Sequence, residues 1–189
     1  MIRKVLIVSD SHGKGRNVMD AIRKEKPDMM IHLGDIEDEP GDYRDCLDEV
    51  MRERLEAGKE NLSETGGLPV PAVFIKGNCD AYYGKELKNA AVFELNGHRF
   101  FCTHGHKYGV SYGIMNLVYT AMENDCDIAM YGHTHMPFDD TFGEEDSSVA
   151  AVRVLNPGSI SLPRGGNKKS YMVMSFGNDG DFEVELKEL

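Results

Sequence analysis

Residues 4 to 13 read Lys4-Val5-Leu6-Ile7-Val8-Ser9-Asp10-Ser11-His12-Gly13. Lys4 to Ser9 is a short apolar run without polar alternation, the pattern of a strand buried beneath helices on either side. Such a strand is central in its sheet. Asp10 and His12 follow at its carboxyl end, where α/β sheets present ligand-binding groups. Past a loop at Gly13 and Gly15, the residues Val18, Ala21 and Ile22 share one helical face, and Pro27 stops that helix. Met29 to Leu33 restores an apolar strand. Strand, helix, strand is a βαβ unit, and the fold class is α/β.

Outward from this unit, Glu37 to Glu60 holds ten acidic and four basic residues. Its Tyr43, Cys46, Leu47, Val50, Met51 and Leu55 recur at helical spacing, which predicts an amphipathic helix with an acidic, solvated outer face. Ser63 to Gly67 reads as a flexible break before Pro69 and Pro71, so residues 37–70 form an acidic helical insertion with its connection. Ala72 to Lys76 is a strand. Val92 to Leu95 and Arg99 to Cys102 flank Asn96-Gly97, the strongest short hairpin signal. Ile114 to Met122 predicts a packed helix, and Asp127 to Tyr131, Val152 to Leu155, Tyr171 to Phe176 and Phe182 to Leu186 predict strands. Asp139 to Asp146 reads as an acidic loop. No repeat or linker divides the 189 residues, so a single domain over residues 1–189 is expected.

The charge balance excludes several functions. With 21 Lys+Arg against 32 Asp+Glu, the net charge is -11, and a long nucleic acid or an anionic membrane surface would be repelled. No apolar run approaches the roughly 18 residues of a membrane span. Cys46, Cys79, Cys102 and Cys126 form no CxxC pair, which argues against a disulfide framework or thiolate zinc site and for a reducing, cytoplasmic setting. No Lys or Arg occurs between Tyr108 and Val152. That gap disfavours a basic clamp for long nucleic acid and favours a small ligand.

Residues able to bind metal fall at the strand ends. Asp10 and His12 follow the first strand, Asp35 the second, Asn78 the third, His104 the hairpin's second strand, and His133 with His135 the strand after it. Two Asp, one Asn and four His exceed the three or four protein ligands of one ion, so two ions are expected. Carboxylate, amide oxygen and imidazole suit Mn, Fe, Zn or similar divalent ions, and ligand softness does not choose among them.

Asp10-Ser11-His12, Gly34-Asp35, Gly77-Asn78, His104-Gly105-His106 and Gly132-His133-Thr134-His135, followed by Asn156-Pro157-Gly158-Ser159, resemble in order the motifs of the calcineurin-like binuclear metallophosphoesterases. The short chain, Cys79 and His104-Gly105-His106 look most like the small YfcE-like phosphodiesterase branch. The resemblance implies a sandwich of two mixed β-sheets flanked by helices, with one ion on Asp10, His12 and His135 and a second on Asn78, His104 and His133. Asp35 would bridge them, and a metal-bridging hydroxide would attack phosphorus in line. Mn is the ion this implies first, with Fe, Zn, Ni or Mg as alternatives. Similar proteins form dimers or tetramers, so a homo-oligomer is also open.

Asp35, Asn78, Cys79, Asp80 and His106 are the expected catalytic set. Cys79 departs from the family, in which His is common as a phosphate contact and general acid. A thiol matches neutral acid catalysis less well than imidazole, so good leaving groups should be preferred. Asp80 would orient position 79 or its neighbours, and His106 faces either phosphate or solvent. His32 reads as a satisfied core residue and His98 as an exposed turn residue. Arg164, Lys168 and Lys169 read as a solvated loop. The alternatives to a phosphodiesterase are a phosphomonoesterase or nucleotide phosphatase, and a non-catalytic scaffold on the same fold.

Overall fold

The computed structural model describes residues 2–58, 67–81, 87–143 and 151–189. Ser63 to Gly66 of the Ser63 to Gly67 break, the last two residues of the Glu37 to Glu60 stretch, and the end of the Asp139 to Asp146 stretch lie outside them.

Among the described residues, ten strands form two five-stranded sheets. The first contains β1 (Lys4–Val8), β2 (Met29–His32), β3 (Ala72–Phe74), β9 (Ser170–Phe176) and β10 (Phe182–Glu188) in the order β10-β9-β1-β2-β3. β1 pairs in parallel with β2 and antiparallel with β9, so the sheet is mixed and β1 is its middle strand. The second contains β4 (Ala90–Leu95), β5 (His98–Thr103), β6 (Ile128–Met130), β7 (Pro137–Phe142) and β8 (Val152–Pro157) in the order β4-β5-β6-β8-β7. β5, β6 and β8 run parallel inside antiparallel edges.

Successive side chains of a strand point to opposite faces, and β1 shows what that does here. Leu6 and Val8 pack with Val18, Ile22, Leu47 and Met51 of α1 (Gly15–Glu25) and α2 (Pro40–Glu56). Val5 and Ile7 pack instead against Phe100, Cys102, Ile128 and Leu155 of the second sheet. The expectation of helices on both faces of β1 is therefore corrected: helices cover one face and a sheet covers the other. An apolar run reports burial on two sides and is silent about what buries it. Leu117, Val118 and Ala121 of α3 (Met115–Glu123) cover the outer face of the second sheet, giving helix, sheet, sheet, helix layers.

Local signals are answered locally. Asn96 and Gly97 both have positive φ, 51° and 93°, as the tight β4-β5 turn requires. Lys26 closes α1 in a left-handed conformation directly before Pro27. Pro40 begins α2, whose Tyr43, Cys46, Leu47, Val50 and Met51 are buried while Asp42, Asp45, Glu49 and Glu53 are exposed. β7 contradicts the sequence reading, because Asp139 and Asp140 belong to an edge strand paired with β8 rather than to a loop. Arg153 answers Asp139 with two hydrogen bonds of 2.9 and 2.8 Å.

Candidate metal centre

Parallel β1, β2, β3, β5 and β6 deliver their following loops to one edge of the sandwich. There His135 Nε2 lies 3.2 Å from Asp10 Oδ1. His12 Nε2 lies 3.3 Å from His135 Nε2 and 3.8 Å from Asp35 Oδ2. On the other side of Asp35, His104 Nε2 is 3.3 Å from the same Oδ2 and 3.2 Å from Asn78 Oδ1. Asp35 Oδ2 thus stands between a His12/His135/Asp10 group and a His104/Asn78 group.

Asp10, His12 and His135 form one compact ligand set, and Asp10, Asp35 and His104 another. A third set joins His12, Asp35 and Cys79, bringing the thiol within reach of the centre. His133 belongs to none of these sets. Its ring meets His104 edge-on at 5.2 Å, and its N–H donates to Asp10 Oδ2 at 3.1 Å. His106 completes a group of three imidazoles, 5.4 Å from His104 and 6.1 Å from His133 between ring centres.

Each inward-facing imidazole is oriented from behind. His12 Nδ1 donates to Glu37 Oε2 at 2.6 Å, His104 Nδ1 to the Leu33 carbonyl at 2.7 Å, and His135 Nδ1 to the Leu162 carbonyl at 2.6 Å. Carbonyl and carboxylate oxygens only accept, so each ring carries a proton on Nδ1, and in the neutral imidazole Nε2 is left with a lone pair. His12 and His135 consequently aim lone pairs at each other, a repulsion that a cation between them would relieve. Asp10 Oδ1, fully buried, has no hydrogen-bond partner. An orphaned buried carboxylate oxygen facing imidazole lone pairs fits a divalent ion, and the oxygen and nitrogen donor set fits a hard-to-borderline one.

Strain is concentrated at the same place. Asp10, His12, Asp35, His133 and His135 all have positive φ, between 44° and 69°. Asp and His tolerate this region better than most residues, but five such residues at one edge are held there by their surroundings. Ser159 and Ser161 hydroxyls both donate to the Asp10 carbonyl, at 2.8 and 2.7 Å. Asn156 Nδ2 donates to the Gly132 carbonyl and Thr134 Oγ1. The Asn156 to Ser161 stretch thus ties the β1 loop to the β6 loop. Two glycines are required by close approach: a Cβ at Gly77 would land on Asp35, and one at Gly132 on Ser9 Oγ.

Asp80 accepts from the N–H groups of Ile36, Glu37 and Gly77, at 2.8 to 3.0 Å. Both of its carboxylate oxygens take part in bracing the Asp35 loop against the Asn78 loop, and it is 1 % exposed. Cys79 is exposed, its N–H donates to Asp35 Oδ1 at 2.7 Å, and its sulfur accepts from Asn78 Nδ2. Partial desolvation and then the Asp35 charge push its thiol up to about 11. Burial works to raise the Asp35 carboxyl, but the hydrogen bond and charge that the protonated His104 ring supplies outweigh it, holding Asp35 well below the usual range. For His133 and His106, burial and then the neighbouring His104 disfavour protonation.

His32 is a satisfied core residue, fully buried and bonded to Ser11 Oγ and the Gly34 N–H. His98 is corrected: it is half-buried, bonded at 2.5 Å to Asp127 and at 3.2 Å to the Gly180 carbonyl. Those partners lie 29 and 82 residues away, beyond the reach of a local reading. The sequence reading also passed over Glu37, which it counted only as the first charge of an acidic run.

Two mixed sheets with a carboxylate and imidazole cluster at their strand ends define the metal-binding, helix-flanked sandwich class. Residues 4–179 match the calcineurin-like phosphoesterase superfamily domain, and the chain belongs to that superfamily. It is 29% identical over 186 residues to phosphodiesterase YfcE of Escherichia coli K12, covering 90% of this chain and 86% of that protein. A solved structure from Streptococcus pneumoniae TIGR4, a conserved uncharacterized protein and predicted phosphoesterase, is 27% identical with a TM-score of 0.68, covering 98% and 89% of the two chains. Vps29 of Entamoeba histolytica complexed with zinc shares the fold at 17% identity, with a TM-score of 0.63 and coverage of 97% and 98%. No helix among the described residues is long and apolar enough to cross a membrane.

Proposed function

We propose that this chain is a divalent-metal-dependent phosphodiesterase working as one domain over residues 1–189, with Mn as the first ion to test. The observation that carries the reading is the pair of His12 and His135 Nε2 lone pairs converging, with their Nδ1 protons committed, beside the unpartnered Asp10 Oδ1. Asp10, His12 and His135 would hold one ion and Asn78, His104 and His133 a second, with Asp35 between them. Bound there, such ions supply Lewis-acid charge for a phosphoryl oxygen and bring the pKa of coordinated water toward neutrality.

The chain's own groups do the rest. Glu37 and the Leu33 and Leu162 carbonyls keep the imidazoles in the ligating tautomer. Asp80 fixes the spacing of the Asp35 and Asn78 loops. His106, with Nδ1 unpartnered and its ring beside His133, is placed to donate to a phosphate oxygen. Cys79 stands beside the same atoms as a weak proton donor, which suits diesters with good leaving groups. The name of the Escherichia coli relative supports the diester over the monoester. Four free cysteines support a reducing, cytoplasmic setting.

The test is hydrolysis of bis-p-nitrophenyl phosphate against p-nitrophenyl phosphate by chelator-stripped protein resupplied with Mn, with Asp35→Asn as control. Metal-dependent diester turnover lost in Asp35→Asn is the expected result. Faster turnover of the monoester would favour a phosphomonoesterase. No turnover with Mn, Fe, Zn or Ni would leave the scaffold reading.

A further inference from the structure

The loop after β3 brings a thiol to the metal centre and fixes it there. Cys79 N–H donates to Asp35 Oδ1 at 2.7 Å, and the Cys79 carbonyl accepts from the Ala81 N–H at 2.9 Å. Asp80 accepts from the N–H groups of Gly77 and Ile36, so the backbone around the sulfur is tied to the Asp35 loop. The sulfur itself accepts from Asn78 Nδ2 at 3.2 Å. Cys46, Cys102 and Cys126 are buried, and Cys79 alone of the four cysteines is exposed to an incoming ion.

Cys79, His12 and Asp35 offer ligand atoms that all lie within 4.8 Å of one another, close enough to surround one ion. His12 and Asp35 also belong to the oxygen-and-nitrogen sets that hold Asp10, His135 and His104, so the sulfur is an added donor on the same centre. The unpartnered Asp10 Oδ1, fully buried and 4.0 Å from His12 Nε2, points independently to a cation at this corner. Donor softness then separates the ions. Carboxylate and imidazole serve Mn and Zn alike, whereas a thiolate selects thiophilic ions such as Zn. Three protein ligands leave a zinc ion with a position open to water, and a fourth closes it. The lack of a CxxC pair is silent about such a mixed site, which needs a single thiolate.

We propose that Cys79 is a conditional metal ligand: its sulfur joins His12 and Asp35 around a thiophilic divalent ion such as Zn, the thiol proton passing to solvent, and it remains a free thiol when Mn is loaded. This rests on the metal-centre reading above. Beside Mn the thiol stays available as the weak proton donor. Beside Zn it is consumed as a ligand, and the centre loses a position for water or substrate. Position 79 thereby separates ions that the oxygen and nitrogen donors treat alike.

Co(II), a spectroscopic substitute for Zn, reports sulfur ligation directly. Chelator-stripped protein titrated with Co(II) is expected to develop a near-ultraviolet sulfur-to-cobalt charge-transfer band that Cys79→Ser lacks, while the variant keeps the wild-type circular dichroism spectrum. In competition with a chromophoric chelator, Zn affinity should fall about tenfold or more in Cys79→Ser, while Mn affinity by calorimetry stays within about threefold. In the wild-type chain, Zn should slow alkylation of Cys79 by iodoacetamide about tenfold and Mn by less than about threefold, read by peptide mass spectrometry. Bound Co(II) without the band, a band that survives Cys79→Ser, equal losses of Zn and Mn affinity, or equal protection by the two ions overturns the ligand and leaves the metal centre standing. Protein that retains neither Co(II) nor Zn on equilibrium dialysis overturns the metal-centre reading and the ligand with it.

Discussion

Glu37 Oε2 lies 2.6 Å from His12 Nδ1, and the Glu37 N–H is itself held at 3.0 Å by Asp80. A carboxylate behind an imidazole fixes its tautomer and raises its basicity as a ligand. Glu37 lies 25 residues from His12 in sequence, yet it decides which way that ring faces. Glu37→Gln keeps the backbone link to Asp80 and removes the charge behind His12. Mn binding by calorimetry is expected to weaken about tenfold or more, with an unchanged circular dichroism spectrum. Equal Mn affinity in the variant would show that His12 needs no such support.

Asp35 touches both halves of the cluster through one oxygen while its other oxygen accepts from Cys79 N–H at 2.7 Å. Saturating metal at about 100 times its dissociation constant stabilises a folded protein by about 2.7 kcal/mol. The wild-type chain should therefore gain several degrees in Tm on Mn addition. Asp35→Asn should lose most of that gain and its phosphoesterase activity together. A variant that keeps the full Mn-induced shift would place the ion away from Asp35.

The sequence made the centre legible because strand and ligand signals are both local. Lys4 to Ser9 announces a buried strand, and Asp10 and His12 sit one and three positions beyond its last predicted residue, so their arrival at the sheet edge follows from strand direction alone. What stayed hidden depends on contacts between distant segments. β7 has two adjacent aspartates that read as loop, and it is a strand because β8 pairs with it and Arg153 meets Asp139. The hold of Ser159 and Ser161 on Asp10 spans about 150 residues, and no periodicity encodes it.

Cys79 gives a prediction about substrates. Its thiol, held up to about 11, donates a proton poorly to a departing alkoxide. Cys79→His would place an imidazole, with a reference pKa of about 6.5, beside Asp35 and Asn78. Alkyl phosphodiesters should gain relative to aryl ones, by about tenfold in the ratio of kcat/KM values, within the 10²–10⁴ range of general acid catalysis. Identical aryl-to-alkyl ratios in the two proteins would remove position 79 from proton transfer.

His32 predicts the acid limb of stability. It stacks on Tyr43 at 6.1 Å, accepts from the Gly34 N–H at 3.2 Å through Nδ1, and so donates to Ser11 Oγ at 3.0 Å through Nε2. Burial, opposed by the charges of Asp80 and Asp10, holds it down to about 4. The unfolded chain takes up a proton near pH 6.5 that the folded chain refuses until about 4, so His32 costs nothing above that range and destabilises progressively through it. The full loss is roughly 3 kcal/mol at about 1.4 kcal/mol per pH unit. His32→Gln, which keeps a donor toward Ser11 and cannot titrate, should be less stable than wild type at pH 7 because the ring's packing is lost. Urea unfolding of metal-free protein should then show the two stabilities converging as the pH falls from 6.5 toward 4. Parallel curves would mean that His32 enters the folded protein already protonated, and its acceptance of the Gly34 N–H would be wrong.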